Sequence, residues 1–247
     1  MFSVEERERV LIALLDQANC DGYVVAAAIT GSMASDLADR WSDIDLFLGA
    51  ADEAELDTVV DEWSAFVYRS FDALHHFDLH SPPAIYRAFL LPSCLEIDLG
   101  FTPASQFGPL GPHFRPIFGT THTLVQPPPP DIRHVIGLCW HHVLHARTSI
   151  ERIKLWQAEY WISALRDHVI TLACLRLGRP TAYAKGADDL PARATQGLEE
   201  ALVRGLGVAE LRRALSVVAS RFLHEVGEED PGLAGKLEPP LRDLAFM

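Results

Sequence analysis

Apolar positions along the chain alternate between two spacings, and the switches between them mark the elements. Between residues 4 and 19, Val4, Val10, Leu11, Leu14 and Leu15 recur at helical spacing. Ser3 is placed to cap that helix, with Glu5 and Glu6 in its first turn. Asp21-Gly22 then turns the chain into an apolar strand over 23–30. Gly31-Ser32 closes that strand, 33–40 has room for two helical turns, and a second strand is expected over 43–49. Residues 52–69 predict an amphipathic helix through Leu56, Val59, Val60, Trp63 and Phe66. Two further strands are expected at 86–91, stopped by Pro92, and at 94–101. The latter alternates, with Leu95, Ile97 and Leu99 on one side and Glu96 and Asp98 on the other.

From residue 102 to 130 the pattern dissolves into Gly, Pro and Phe and ends in Gln126 followed by four prolines, which disfavours helix and acts as a stiff connector. Beyond it the spacing is helical. Helices are expected at 131–149 and 150–177, then, after a loop at 181–194, at 196–205, 208–226 and 231–245. The reading is therefore α/β (α+β): a domain over 1–126 with a short mixed sheet, and a helical bundle over 131–247.

Composition narrows the function classes. Net charge is −13 with 34 acidic residues against 21 Lys and Arg, which argues against a nucleic-acid partner and suits a cationic small molecule. No apolar run nears the roughly 18 residues of a membrane helix, and the charged N-terminus lacks a signal-peptide core. Cys20, Cys94, Cys139 and Cys174 are too scattered for a C-x-x-C pair. They read as reduced, mostly packed thiols of a cytoplasmic protein.

The chemistry gathers in 24–48. Asp43 and Asp45 alternate within the expected strand and so share a face, while Ile44, Leu46 and Leu48 face inward. Two adjacent carboxylates repel unless a cation lies between them, and Mg²⁺ is the natural one. On the expected helix 150–177, Ile162, Leu165, Val169, Leu172 and Leu155 share one arc. Glu159, Ser163, Arg166 and Asp167 fall opposite, together with Trp156 and Tyr160. Aromatics on a polar arc either pack on another element or stack on a ligand. Trp156, Glu159, Tyr160 and Arg166 are accordingly candidate substrate-binding residues, Glu159 as a base or a hook for a cationic acceptor. His141 and His145 stand at H-x-x-x-H spacing, but no Glu follows the first and no Cys completes a zinc set, so they read as helix-surface or cleft-lining residues. No P-loop and no G-x-S-x-G elbow occurs.

The order of these features, an apolar strand, Gly31-Ser32, ten residues, Asp43-x-Asp45 and a later strand with Asp98, resembles the signature of the nucleotidyltransferase (polymerase-β-like) superfamily. The resemblance covers residues 23–101. It implies Asp43, Asp45 and Asp98 as catalytic and metal-holding acids, with Glu96 the competitor for the third place. It implies Gly31, Ser32 and, in the loop after Pro180, Lys185 as contacts to the phosphates. Two Mg²⁺ ions and ATP or another nucleoside triphosphate are the implied cofactor and co-substrate. Arg40 and Ser42 lie where the family carries polar residues near phosphate or the first acid. Length and layout look like the small antibiotic nucleotidyltransferases of the aminoglycoside and lincosamide type. The expected reaction is transfer of AMP to a hydroxyl of a small molecule, with release of pyrophosphate. The rivals are a protein-modifying nucleotidyltransferase of a toxin–antitoxin pair, whose companion R-x₄₋₆-H spacing is absent from 131–247, and a non-catalytic nucleotide-binding regulator.

Overall fold

A computed structural model describes all residues except Asp36, Glu53 and Met247, together with the side chain of Phe246. The chain divides into two units, Met1–Pro127 and Pro128–Met247.

In the first unit, helix α1 (Val4–Cys20) starts where Ser3 Oγ accepts the Glu6 amide. It ends at Asp21, whose carboxylate takes the amides of Tyr23 and Val24 and the indole N–H of buried Trp63. Strand β1 (Val24–Thr30) follows, then a short 3₁₀ turn at Gly31–Ala34, strand β2 (Ile44–Ala50) and helix α2 (Leu56–Phe71). A hairpin of β3 (His75–Ser81) and β4 (Ala84–Leu90) leads to β5 (Glu96–Pro103) and finally β6 (Phe114–Phe118).

These strands form one mixed sheet in the order β3-β4-β5-β2-β1-β6, in which only the central β2–β5 pair is parallel. Ile44, Leu46, Leu48, Ile97, Leu99 and Phe101 point to one face and pack with Leu14, Val60, Trp63 and Val67 of α1 and α2. The opposite face carries Ala26, Ala28, Phe47 and Ala84, closed by Phe107 from the following loop. The two strands that bear Asp45 and Asp98 are thus the middle of the sheet. Their inward neighbours sit in the larger core.

Four local expectations need correction. The two helical turns expected at 33–40 reduce to the 3₁₀ turn; Asp36 lies outside the described residues. Asp39 and Ser42 bond each other and nearby amides instead, the competition that short polar side chains offer a helix. Strands β3 and β6 lie in stretches that carry no strand prediction. Strand β6 contains Pro116, which an edge strand tolerates, and β3 is the other edge, exposed along most of its length. The helix expected at 196–205 is a series of tight turns after the one-turn α5 (Ala192–Thr195). Gly197 takes φ +83°, and the Arg213 guanidinium satisfies the carbonyls of Glu200 and Leu202 that a helix would have paired.

The second unit is helical. Helix α3 (Ile132–Glu151) is capped by Asp131 and separated from α4 (Leu155–Arg176) by a break where Ile153 has φ +55°. Helices α6 (Val208–Glu229) and α7 (Pro231–Phe246) complete it. Its core gathers Cys139, Val143, Ile162, Leu165, Leu215 and Phe222. Cys139 and Cys174 are buried, and burial pushes both thiols up from their ordinary range. Cys20 and Cys94 are exposed, so only half of the cysteines are packed. No helix among the described residues is long and apolar enough to cross a membrane.

Candidate active site

The site grows from the end of β1. Gly31 holds φ +62°, a left-handed conformation that glycine adopts at little cost, and it lets the chain leave the sheet at once. Space demands glycine too, because a Cβ there would lie 2.0 Å from Asp45 Oδ2. The Gly31 backbone and the Asp45 carboxylate are therefore in immediate contact. Next in the turn, Ser32 Oγ is buried without a hydrogen-bond partner.

Asp45 stands opposite Asp98 across the parallel ladder, each flanked by buried apolar neighbours on the other face. Adjacent strands lie about 4.8 Å apart, so the two carboxylates are side by side. Asp98 Oδ1 is also buried and unpartnered. Burial, then the charges of Glu96 and Asp43, push the Asp98 carboxyl up to about 6. Glu96, two residues earlier on the same face, is exposed at the start of β5. Asp43 stands immediately before β2, one residue outside the strand expected to carry both acids. Its charge reaches Asp98 from the entry loop.

That loop is fixed by Arg7, a residue with no signal in the sequence. It is 5% exposed, and its Nη1 donates to the carbonyls of Asp39 (2.5 Å) and Ser42 (2.9 Å). Ser42 Oγ in turn takes the Asp39 amide at 2.9 Å, so the backbone entering Asp43 is held from both sides. The Arg40 guanidinium lies over the Trp41 ring at 4.2 Å.

Beyond the acids, the same sheet face becomes aromatic. Phe47 stacks on Tyr86 and on Phe107 with centroids 5.9 and 5.5 Å apart. Gly100, opposite Tyr86, leaves room for that stack, since a Cβ there would meet Phe47 at 2.5 Å. Burial and the Asp98 charge both raise the Tyr86 phenol. Phe47, Tyr86 and Phe114 line a hollow of about 170 Å³ with Thr30 and His113. Tyr86 and Arg7 join the candidate residues only through tertiary structure.

The remaining candidates belong to the helical unit. Trp156 and Tyr160 are 77% and 60% exposed on α4, where Tyr160 meets Trp161 edge-on. Glu159, between them, accepts from Ser163 Oγ at 2.6 Å. Arg166 pairs with Asp167 at 3.2 Å, almost two turns further along the helix. Lys185 is exposed after the 3₁₀ turn Ala182–Ala184. His141, His142 and His145 collect around Trp161, with ring centroids of His141 and His145 4.2 Å apart, and His168 packs edge-on against His142.

Among the described residues, no three His, Cys, Asp or Glu side chains converge as a finished metal site. The donor set in the sheet unit still fits a hard divalent cation: two carboxylates in register, one with a buried oxygen that has no partner, and two further acids within electrostatic reach. A cation there would offset the burial and the like-charge repulsion that together hold Asp98 high.

No family model and no curated protein matches the chain. Among solved structures it is similar to an aminoglycoside 6-adenyltransferase from Bacillus subtilis, over 99% of each chain, at 10% identity and a TM-score of 0.43.

Proposed function

We propose that the protein is a Mg²⁺-dependent nucleotidyltransferase that moves AMP from ATP to a hydroxyl of a small molecule such as an aminoglycoside or lincosamide. The observation that supports this most is the placement of Gly31, Asp45 and Asp98. A glycine turn lies directly against one carboxylate, and that carboxylate stands in register with a second whose oxygen has no partner.

Each residue has work to do on this reading. Gly31 keeps the turn free of a side chain where a triphosphate must approach. Ser32 has an unspent hydroxyl to donate to a phosphate oxygen. Asp45 and Asp98, with Asp43, would hold the metal, which when bound offsets phosphate charge and polarises the phosphoryl oxygens. The acceptor hydroxyl attacks the α-phosphorus, a new O–P bond forms, and the bond to pyrophosphate breaks. The proton of that hydroxyl passes to a carboxylate oxygen of Asp98. From the helical unit we assign Lys185 to the β- and γ-phosphates and Trp156, Glu159, Tyr160 and Arg166 to the acceptor. The exposed aromatic rings support stacking, and the net charge of −13 favours a cationic acceptor.

The test is pyrophosphate release from ATP and Mg²⁺ across a panel of aminoglycosides and lincosamides. Turnover that Asp45→Asn abolishes supports the assignment. Nucleotide binding indifferent to Mg²⁺, in the wild type and in Asp45→Asn alike, refutes it.

A further inference from the structure

We infer that the helical unit carries a second ligand site, for a phosphate monoester, where α4, α5 and α6 border a cavity of about 390 Å³ lined by Arg176, Arg193, Gln196, Arg221, His224 and Glu228. This site is independent of the nucleotidyltransferase reading, because every residue in it lies in 176–228.

Its floor is rigid. Arg176 grips Glu225 in a two-pronged pair, Nε to Oε2 at 3.0 Å and Nη2 to Oε1 at 3.2 Å. Glu225 is 2% exposed, and a buried carboxylate needs such partners. Arg221 reaches the same carboxylate at 3.8 Å, while its Nη2 donates to the carbonyls of Ala194 (3.1 Å) and Arg193 (3.5 Å). Two guanidiniums therefore share one buried negative charge, which leaves a positive charge uncompensated at the base of the cavity. Arg193 adds a second. Glu228, half-exposed on the rim and 3.9 Å from Arg176, removes one. Three arginines against two glutamates give a local charge of +1 in a chain of −13.

Several donors lining this cavity are unspent. Among the described residues, the Arg193 guanidinium, the Gln196 amide and the His224 ring make no hydrogen bond or ion pair, and Arg221 Nε is buried and unpartnered. Groups that serve only to tie α5 to α6 would not be left in this state, since that role is already filled by Arg221. Donors arriving from two sides, α5 with its C-cap residue Gln196 and α6, suit a phosphoryl group, which offers three terminal oxygens in a tetrahedral array. A carboxylate offers two in one plane and would leave donors idle. The cavity extends beyond what an oxyanion fills, which leaves room for the organic part of an ester.

The experiment titrates the full-length protein, without Mg²⁺ and at near-physiological ionic strength, with phenyl phosphate, inorganic phosphate and sulfate, read by calorimetry and by ³¹P line broadening. Arg193 is exposed and its side chain holds nothing, so Arg193→Ala should keep the fold, checked by circular dichroism. The expected result is saturable binding of phenyl phosphate, tighter than of either inorganic ion. Affinity should fall about tenfold or more in Arg193→Ala and stay unchanged in Asp45→Asn. Absence of saturable binding, equal affinity for the inorganic ions, or equal affinity in Arg193→Ala overturns the site. Loss in Asp45→Asn with retention in Arg193→Ala would place the binding on the sheet unit and overturn it as well.

Discussion

Gly31 and Asp45 touch: an added Cβ on the glycine would fall 2.0 Å from Oδ2 and 2.7 Å from Cγ of the aspartate. Thirteen residues separate them in the chain, and the β1–β2 pairing brings them together. The contact places a backbone free of side chain against the acid whose ladder partner is Asp98. Any change at Gly31 is therefore transmitted directly to the carboxylate pair.

Gly31→Ala should consequently damage function more than stability. The left-handed φ of +62° costs an L-residue about 1–2 kcal/mol. The methyl group also drives the Asp45 carboxylate away from Asp98, and a displacement near 1 Å is enough for about a 10²-fold loss of turnover. Pyrophosphate release and a urea melt on the same preparation check both numbers. A variant that keeps full turnover would detach Gly31 from the site.

Asp98→Asn separates activity from stability in the opposite sense. Burial and the charges of Glu96 and Asp43 disfavour ionised Asp98, so the folded protein carries this charge as a liability. The amide removes the charge at nearly constant volume. The metal-free variant should melt at the same temperature as the wild type or higher, while turnover falls about 10²–10⁴-fold with the loss of the proposed proton acceptor. A lower melting temperature in EDTA would show that the charge is compensated in the fold.

The sheet centre is legible in the chain because each of its strands is an uninterrupted apolar or alternating run. Ile44–Ala50 buries one face completely, and Val24–Thr30 and Glu96–Pro103 bury one face except at their last residue. The edges are not legible, for the converse reason. His75–Ser81 buries almost nothing, and Phe114–Phe118 contains a proline, so neither carries a strand's usual periodicity. At the site, alternation marks Asp45 and Asp98 as outward residues of strands. That those strands are parallel neighbours in register is a long-range pairing that no local pattern encodes. Arg7 is the extreme case. Within Glu5-Glu6-Arg7-Glu8-Arg9 it reads as one more solvated charge, and only the fold shows it buried beneath the loop that leads to Asp43.

Arg7→Met tests that loop. Methionine keeps most of the packed stem but leaves the carbonyls of Asp39 and Ser42 without their charged donor. The expected cost is about 2–3 kcal/mol of stability, the worth of buried hydrogen bonds to a charged group. If the loop positions Asp43, Mg²⁺-dependent nucleotide affinity falls as well. Unchanged metal dependence in a stable, folded variant would confine Arg7 to a structural role.

The helical unit should be acid-sensitive through His142 and His168, whose rings pack 4.9 Å apart, His142 also against Trp161. Burial holds both below the ordinary histidine range, opposed at His142 by its bond to the Leu138 carbonyl. The neighbouring His141 and His145 deepen the effect on His142; His142 and His134 deepen it on His168, against a raising effect of Asp167. The folded state thus binds fewer protons than the unfolded one as pH falls through the unfolded value of about 6.5, and by linkage stability drops across that window and below it. Above it both rings are neutral in either state and contribute no pH dependence. His168→Gln removes one of the two groups, so its urea midpoint, followed by far-UV circular dichroism, should fall less between about pH 7.5 and 5.5 than that of the wild type. Parallel midpoints for the two proteins across that range would show that His168 does not enter the acid response.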